Sequence, residues 1–375
     1  MPLRKNILMT NSTDIYGGGE FYVFELAQAL RNRRLDVTVC CKPDNLLLSK
    51  CREAEIPVIP LDFPSGGQLT KYTMRLKGII AEKEIGLIHT NSNFDRTAGA
   101  FAARMAGIKH ITNVHSFHSI QYNITHWLRN RLATDHFLVD GYCVKDLLVR
   151  EDHIPSSKVS IIHLGVEPRM MKRDPQARQR VRNEFGIADD TIVIGNVGRL
   201  VPMKGQEFLL VAFATMSAEF PNSRLFIVGD GELMSDLKAR AAGLHIGSRT
   251  IFAGFRDDLA AVYSAFDLYV HSSVEGGGET FPFAVLQALA EELPVVVTQV
   301  GDVAEMVEEG VNGFVIPDSN PSLMALSMAR LLRDQNLQKQ MARCSYARFL
   351  RLFTRERMVD AIEQVYTNLI GVPWQ

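Results

Sequence analysis

The stretch Glu275 to Val297, EGGGETFPFAVLQALAEELPVVV, admits few architectures. It opens polar and glycine-rich (Gly276, Gly277, Gly278), and Glu279 then stands just before Pro282. Phe283, Val285, Leu286, Ala288 and Leu289 follow at helical spacing, and Pro294 introduces the all-apolar Val295-Val296-Val297. This order reads as a loop, a helix with a proline in its first turn, and a strand apolar on both faces. Such a strand belongs to a parallel sheet covered by helices. A helix N-terminus presents unpaired N–H groups and a partial positive charge, which makes it a seat for phosphate. A carboxylate beside that seat repels phosphate but accepts hydrogen bonds from hydroxyl groups, as on a sugar attached to the phosphate. The same residues also fit a buried helix–strand unit with an acidic cap loop.

The rest of the chain keeps that rhythm. Lys5 to Met9 reads as a strand, Gly17-Gly18-Gly19-Glu20 as a turn, Phe21 to Leu30 as an amphipathic helix and Val37 to Cys40 as a second strand. Strand, glycine turn and helix form the first step of a doubly wound sheet, and the glycines let backbone approach a ligand. The turn lacks the G-x-G-x-x-G pattern of nicotinamide cofactor sites, because position 22 is Tyr. Leu87 to His89 and His110 to Val114 read as strands around a helix from Ala98 to Ala106. His115 follows the second at its carboxyl end, where ligands of such sheets bind; a structural histidine is the competing reading. Phe137 to Val139 and Val159 to Val166 complete a first domain, and the charged, proline-containing Glu167 to Gln179 marks a boundary.

Beyond it the pattern restarts. Thr191 to Val197 is a strand, Gly198 to Gly205 a turn carrying Arg199 and Lys204, and Phe208 to Phe213 the start of a helix. Two cations on one loop at a strand's carboxyl end suit a diphosphate, Arg by its planar fork and Lys as a point charge; solvated surface charge is the alternative. Leu225 to Val228 leads into Gly229-Asp230-Gly231, and Thr250 to Gly254, with Phe255-Arg256, and Asp267 to Val270 give two more strands. The final helix, Thr354 to Leu369, is long enough to return to the first domain. The expected division is 1–166 and 167–353, with 354–375 packing back on the first part.

A chain of 375 residues, 46% hydrophobic and 22% charged, suits two soluble α/β domains. Net charge is −1, but residues 1–165 carry 20 Lys+Arg against 16 Asp+Glu, and residues 166–375 carry 21 against 26. Leu69 to Ile80 and Ile124 to Leu132 place Lys71, Arg75, Lys77, Trp127, Arg129 and Arg131 beside apolar residues. They read as ordinary amphipathic helices, with peripheral membrane contact as the alternative. Five Cys without a C-x-x-C pair fit a reduced compartment. No apolar run reaches a membrane span, and Lys5 to Met9 is too short for a signal peptide. The expected location is cytoplasmic, with the cytoplasmic face of the membrane left open. Nothing points to nucleic acid.

Taken together, Gly17 to Glu20, Gly198-Arg199-Leu200 with Lys204-Gly205, Gly229-Asp230-Gly231 and Glu279 to Pro294 resemble the retaining GT-B glycosyltransferases called family 4, over nearly the whole chain. The resemblance implies two Rossmann-like domains facing across a cleft, a nucleotide-sugar donor held by the second and an acceptor met by the first. It implies hexose transfer from a nucleotide diphosphate, foremost uridine, to a glycan or lipid-linked acceptor in cell-envelope polysaccharide or glycolipid synthesis. No metal or other cofactor is required in that family, and this chain has no Asp-x-Asp. His115 and Glu279 are then the catalytic residues. Gly17, Gly18, Arg199, Lys204, Gly229, Arg256, Thr280, Phe281, Phe283 and Gln287 bind the donor.

Three positions depart from the family pattern. Its second Glu, eight residues after the first, is Gln287; the Gly ending that helix is Glu292; and one Gly of a later pair is Asp302. They motivate the alternative of a degenerate binding protein that has kept the fold and lost turnover.

Overall fold

The computed structural model describes residues 6–13, 17–62, 68–168, 173–276 and 278–371. Lys5 and Gly277 of the expected first strand and glycine loop lie outside the described residues. The chain forms two compact units, residues 1–165 with 355–375, and residues 166–354.

Unit 1 is built on seven parallel strands: β1 (Asn6–Asn11), β2 (Val37–Cys41), β3 (Val58–Pro60), β4 (Ile85–Thr90), β5 (Lys109–Val114), β6 (His136–Val139) and β7 (Val159–Ile161). Their order is β3-β2-β1-β4-β5-β6-β7, so the winding reverses between β1 and β4. Unit 2 has six parallel strands, β8 (Ile192–Val197), β9 (Ser223–Val228), β10 (Thr250–Phe252), β11 (Leu268–His271), β12 (Val295–Thr298) and β13 (Gly313–Ile316). Their order is β10-β9-β8-β11-β12-β13, and here the reversal falls between β8 and β11. Apolar residues on both faces of these strands are covered by helices, as in the cluster of Ile194, Leu225, Ile227, Leu268, Val270 and Val296 under Leu209, Phe213 and Met328.

The terminal helix Arg355–Ile370 belongs to unit 1. Arg355 donates to Glu25 at 2.9 Å, Arg33 pairs with Asp360 at 2.7 Å, and the Tyr366 hydroxyl meets His89 Nδ1 at 2.6 Å. Four local expectations change. The strand expected over Val159 to Val166 ends at Ile161. The charged Glu167 to Gln179 segment, read as featureless, begins a helix at Pro175, capped by the Asp174 carboxylate, which accepts from Gln176 N–H at 2.8 Å. Pro282 is the N-cap of helix Phe283–Ala290, one place before its first turn. The expected helix Ile124 to Leu132 is regular only to Leu128, then widens into a π-type turn over Arg129–Ala133. That turn carries Arg129 inward, so it is buried and not on a basic surface face.

Glu292, at the place of the family's glycine, adopts φ 56°. Glu292 N–H donates to Leu289 O at 3.2 Å and Leu293 N–H to Ala288 O at 3.1 Å, which is the left-handed helix ending glycine usually supplies. The side chain is therefore accommodated at the cost of some backbone strain.

Candidate active site

In a parallel sheet the crevice beyond the carboxyl ends of two strands that wind apart is the natural ligand position. In unit 2 those strands are β8 and β11, and Lys204 and Glu279 lie on the loops that follow them. Close backbone contact joins the loops. Gly205 has φ 59°, and a Cβ there would lie 2.1 Å from Ser272 O, so only glycine fits. The Ser272 hydroxyl donates to Lys204 O at 2.8 Å, and Val274 N–H donates to Met203 O at 3.0 Å. The Lys204 ammonium consequently donates to Glu279 Oε2, the Ser273 hydroxyl donates to the same oxygen at 3.2 Å, and His271 Nε2 lies 3.7 Å away.

Burial pushes the Glu279 carboxyl up, but Lys204, His271 and Ser273 outweigh it and hold it below the ordinary carboxylate range. Burial pushes His271 down to about 4, against the opposing pull of Glu279. The site thus holds an ionised carboxylate, an ammonium and a neutral imidazole at neutral pH.

Arg199 lies on the same loop as Lys204, exposed, and its guanidinium makes no hydrogen bond or ion pair among the described residues. Gly229, at the end of β9, has φ 130°, and a Cβ there would meet Gly198 O at 2.0 Å, so this turn packs directly under the Arg199 loop. Thr280 is buried and its carbonyl accepts from Asp302 N–H at 2.8 Å. The substituted glycine position therefore still ties its loop to the Glu279 segment through backbone. Phe281 packs its ring on Phe353, and Phe283 starts the helix. The Gln287 side chain, on a residue only 6% exposed, has no hydrogen-bond partner among the described residues.

Arg256 stands apart from this picture. It is expected to bind donor, yet Asp258 and Glu184 both grip its guanidinium, which also lies over the Phe185 ring. Those carboxylates already neutralise it, so it is not an open cation for phosphate.

In unit 1, His115 follows β5 and its Nδ1 lies 2.8 Å and 3.0 Å from the two Asp140 carboxylate oxygens. Carboxylate accepts only, so Nδ1 carries a proton and, of the two neutral tautomers, this contact selects the one that leaves Nε2 as the acceptor. The Tyr22 ring packs edge-on against the imidazole at 4.9 Å. Gly17 caps helix Gly18–Asn32, and its N–H donates to Glu20 Oε2 at 2.7 Å, while Asn11 donates to Oε1 at 3.1 Å. A phosphate at this turn would share it with the buried Glu20 charge. Sequence reasoning missed Asp140, Ser273, His271 and Glu20 as partners. Asp140 and His271 each lie at the carboxyl end of a strand, the signal that singled out His115.

Glu291, fully buried beside the site helix, accepts from Ser264 Oγ at 3.1 Å, and burial pushes its carboxyl up to about 8. The unfolded chain ionises it above 4.5 while the folded chain keeps the proton, so unit 2 loses stability as pH rises from there to about 8. Glu291→Gln removes that loss, and its advantage over wild type grows by about 4 kcal/mol across the window. Urea unfolding at the two ends of the window checks this; an advantage independent of pH contradicts it.

Among the described residues no three His, Cys, Asp or Glu side chains gather as a metal site, and no helix is long and apolar enough to cross a membrane. Residues 177–348 match the family model described as Glycosyl transferases group 1, and residues 16–169 match that described as Glycosyltransferase Family 4. The chain is 25% identical over 370 residues to the UDP-Gal:alpha-D-GlcNAc-diphosphoundecaprenol alpha-1,3-galactosyltransferase of Escherichia coli, covering 92% of each. It superposes with TM-score 0.86 on Anabaena Alr3699/HepE solved with UDP-glucose, at 23% identity, covering 97% of this chain and all of that one. A glycosyltransferase from Rickettsia africae superposes with TM-score 0.87 at 17% identity, covering 98% and 99%. These likenesses, with the two parallel sheets, make the fold GT-B.

Proposed function

Since this chain belongs to the group 1 glycosyltransferases, we propose that it moves a hexose, with retention and without metal, from a UDP-sugar to a lipid-linked or polysaccharide acceptor of the cell envelope. The observation that carries the reading is the Lys204–Glu279–Ser273 cluster at the switch point of unit 2, with the uncommitted Arg199 on the same loop. An arriving diphosphate draws Arg199 and Lys204 to its oxygens, and Lys204 exchanges a carboxylate partner for a phosphate one. Glu279, released, accepts hydrogen bonds from the sugar hydroxyls.

As the bond from the anomeric carbon to the diphosphate breaks, negative charge grows on the leaving oxygen, and preplaced cations stabilise it more than they stabilise the ground state. The acceptor oxygen bonds the same carbon from the leaving-group side, and its proton passes to the departing phosphate. No protein nucleophile is needed. His115 Nε2 steadies the incoming hydroxyl or the developing oxocarbenium ion. UDP as donor is supported by the ligand of HepE, and a lipid diphosphate acceptor by the name of the Escherichia coli relative.

The departures do not favour a degenerate binding protein. Glu292 keeps its helix ending, Asp302 keeps its backbone tie, and Gln287 keeps an acceptor oxygen. The reading is tested by incubating the protein with a panel of nucleotide sugars and measuring nucleotide release; no release with any donor would refute it. Gln287→Glu should tighten UDP binding about tenfold, because a charged acceptor makes stronger hydrogen bonds to ribose hydroxyls than an amide does. Calorimetric titration showing unchanged or weaker binding would remove Gln287 from the ribose site.

A further inference from the structure

His271 has no part in the transfer described above, yet it sits against the carboxylate on which that transfer depends. It ends β11, is 2% exposed, and its Nε2 is buried without a hydrogen-bond partner among the described residues. Glu279 Oε2 lies 3.7 Å from that nitrogen, beyond hydrogen-bond reach but close enough for charge to act. A buried polar nitrogen left unpaired is costly unless some state of the protein uses it.

The backbone that carries the ring is fixed on both sides. On β12, the Thr298 hydroxyl donates to His271 O at 3.3 Å and to Ser273 O at 2.5 Å, and Gly205 packs against Ser272 O from the β8 loop. Among the described residues two charges act on the imidazole, one from each loop of the crevice. Glu279 favours the protonated ring and Lys204 opposes it, while burial, stronger than either, pushes the ring down to about 4. Val297 and Thr298 on β12, Asn196 on β8 and the helix Phe283–Ala290 packed on β11 bring no further charge.

Diphosphate binding alters that balance. Lys204 leaves Glu279 for the phosphate oxygens, so a buried carboxylate loses its ammonium partner. The Ser273 hydroxyl, at 3.2 Å, supplies a dipole and no charge. At the same moment the diphosphate brings negative charge to the crevice. The two changes act on the imidazole in one direction, toward protonation. A shift of about 1 Å then puts Nε2 at charge-assisted hydrogen-bond distance from the carboxylate.

We propose that His271 is a positioning residue that relieves Lys204: as the diphosphate arrives, the imidazole takes one proton from solvent and donates Nε2–H to Glu279 Oε2. His271 has this role only if unit 2 takes a nucleotide diphosphate, the reading given above. Glu279 stays ionised and oriented, with Oε1 left to accept from the sugar hydroxyls, while Lys204 serves the leaving group. When the diphosphate departs, Lys204 returns and the proton goes back to solvent. The free ring is neutral above about 4 and the bound ring keeps its proton to higher pH. UDP therefore binds more tightly as pH falls through that interval, by up to about tenfold per pH unit.

Calorimetric titration of the full chain with UDP at about pH 6, in MES and in Bis-Tris, whose ionisation heats differ, counts the protons taken up. UDP's own ionisation is common to every protein compared, so differences between them report the protein. Wild type should take up about one proton more than His271→Gln. Glu279→Gln, which removes the anion that calls for the proton, should take up as little as His271→Gln. That variant keeps the test decisive if His271→Gln fails to fold. A histidine that only fills space would change folding or affinity without moving the proton count. Equal counts in wild type and His271→Gln overturn the assignment, as does uptake that Glu279→Gln leaves intact. If the counts are equal but a nucleotide sugar is turned over, His271 loses its role and the glycosyltransferase reading stands. If UDP does not bind and no donor is turned over, both are lost.

Discussion

Glu279→Ala lowers kcat about 10³-fold with a nucleotide-sugar donor, while UDP alone binds as tightly as to wild type or more tightly. The two effects separate because Glu279 and Lys204 are paired before ligand arrives. With the carboxylate gone, Lys204 loses the anion that competes with phosphate, so the diphosphate gains an uncontested cation. The sugar loses the acceptor that orients its hydroxyls, and an ill-placed anomeric carbon costs rate more than binding. The reverse change is harsher on the fold. Lys204→Met leaves the Glu279 carboxylate buried beside a neutral His271, a loss on the order of 3 kcal/mol, and adding Glu279→Gln restores most of it. Turnover and calorimetry on Glu279→Ala, with urea unfolding on the Lys204 pair, decide the matter. UDP binding that falls along with turnover would mean that Glu279 contacts the nucleotide and not the sugar.

What could be read from the sequence follows from what each element rests on. β8, β11 and β12 were legible because strands buried on both faces carry unbroken apolar runs, Ile192 to Ile194, Leu268 to Val270 and Val295 to Val297, and each leads into a polar or glycine turn. β3 and β13 were not: Val58-Ile59-Pro60 is three residues at a sheet edge, and Gly313 opens a strand whose neighbour Val295 leaves no room for a side chain. Their strand character comes from pairing. The pairing of Glu279 with Lys204 was foreseen only as proximity to one phosphate seat. The direct ion pair depends on Gly205 letting the β8 and β11 loops touch, a tertiary contact no local pattern encodes. Arg256 and Arg129 show the converse. Each reads as a cation available at a surface, and each is claimed by partners far along the chain or on a turn whose geometry departs from the helix its periodicity suggests.

The second large effect concerns His115. His115→Ala lowers kcat about 10²- to 10³-fold, and Asp140→Asn lowers it about 10²-fold although Asp140 meets no substrate. The carboxylate accepts from Nδ1 at 2.8 Å, which fixes the tautomer that leaves Nε2 as the acceptor for an incoming hydroxyl. An Asn amide can turn its NH₂ toward Nδ1, and the proton then moves to Nε2, which donates where it should accept. Asp140 is thus a positioning residue, and its effect exists only through the imidazole. A double-mutant cycle exposes that dependence: once His115 is Ala, Asp140→Asn should cost nothing further in kcat. Thermal unfolding of the same four proteins separates this from simple loss of structure. If the two losses multiply in full, Asp140 acts by a route that does not pass through His115, and the imidazole has no fixed orientation to lose.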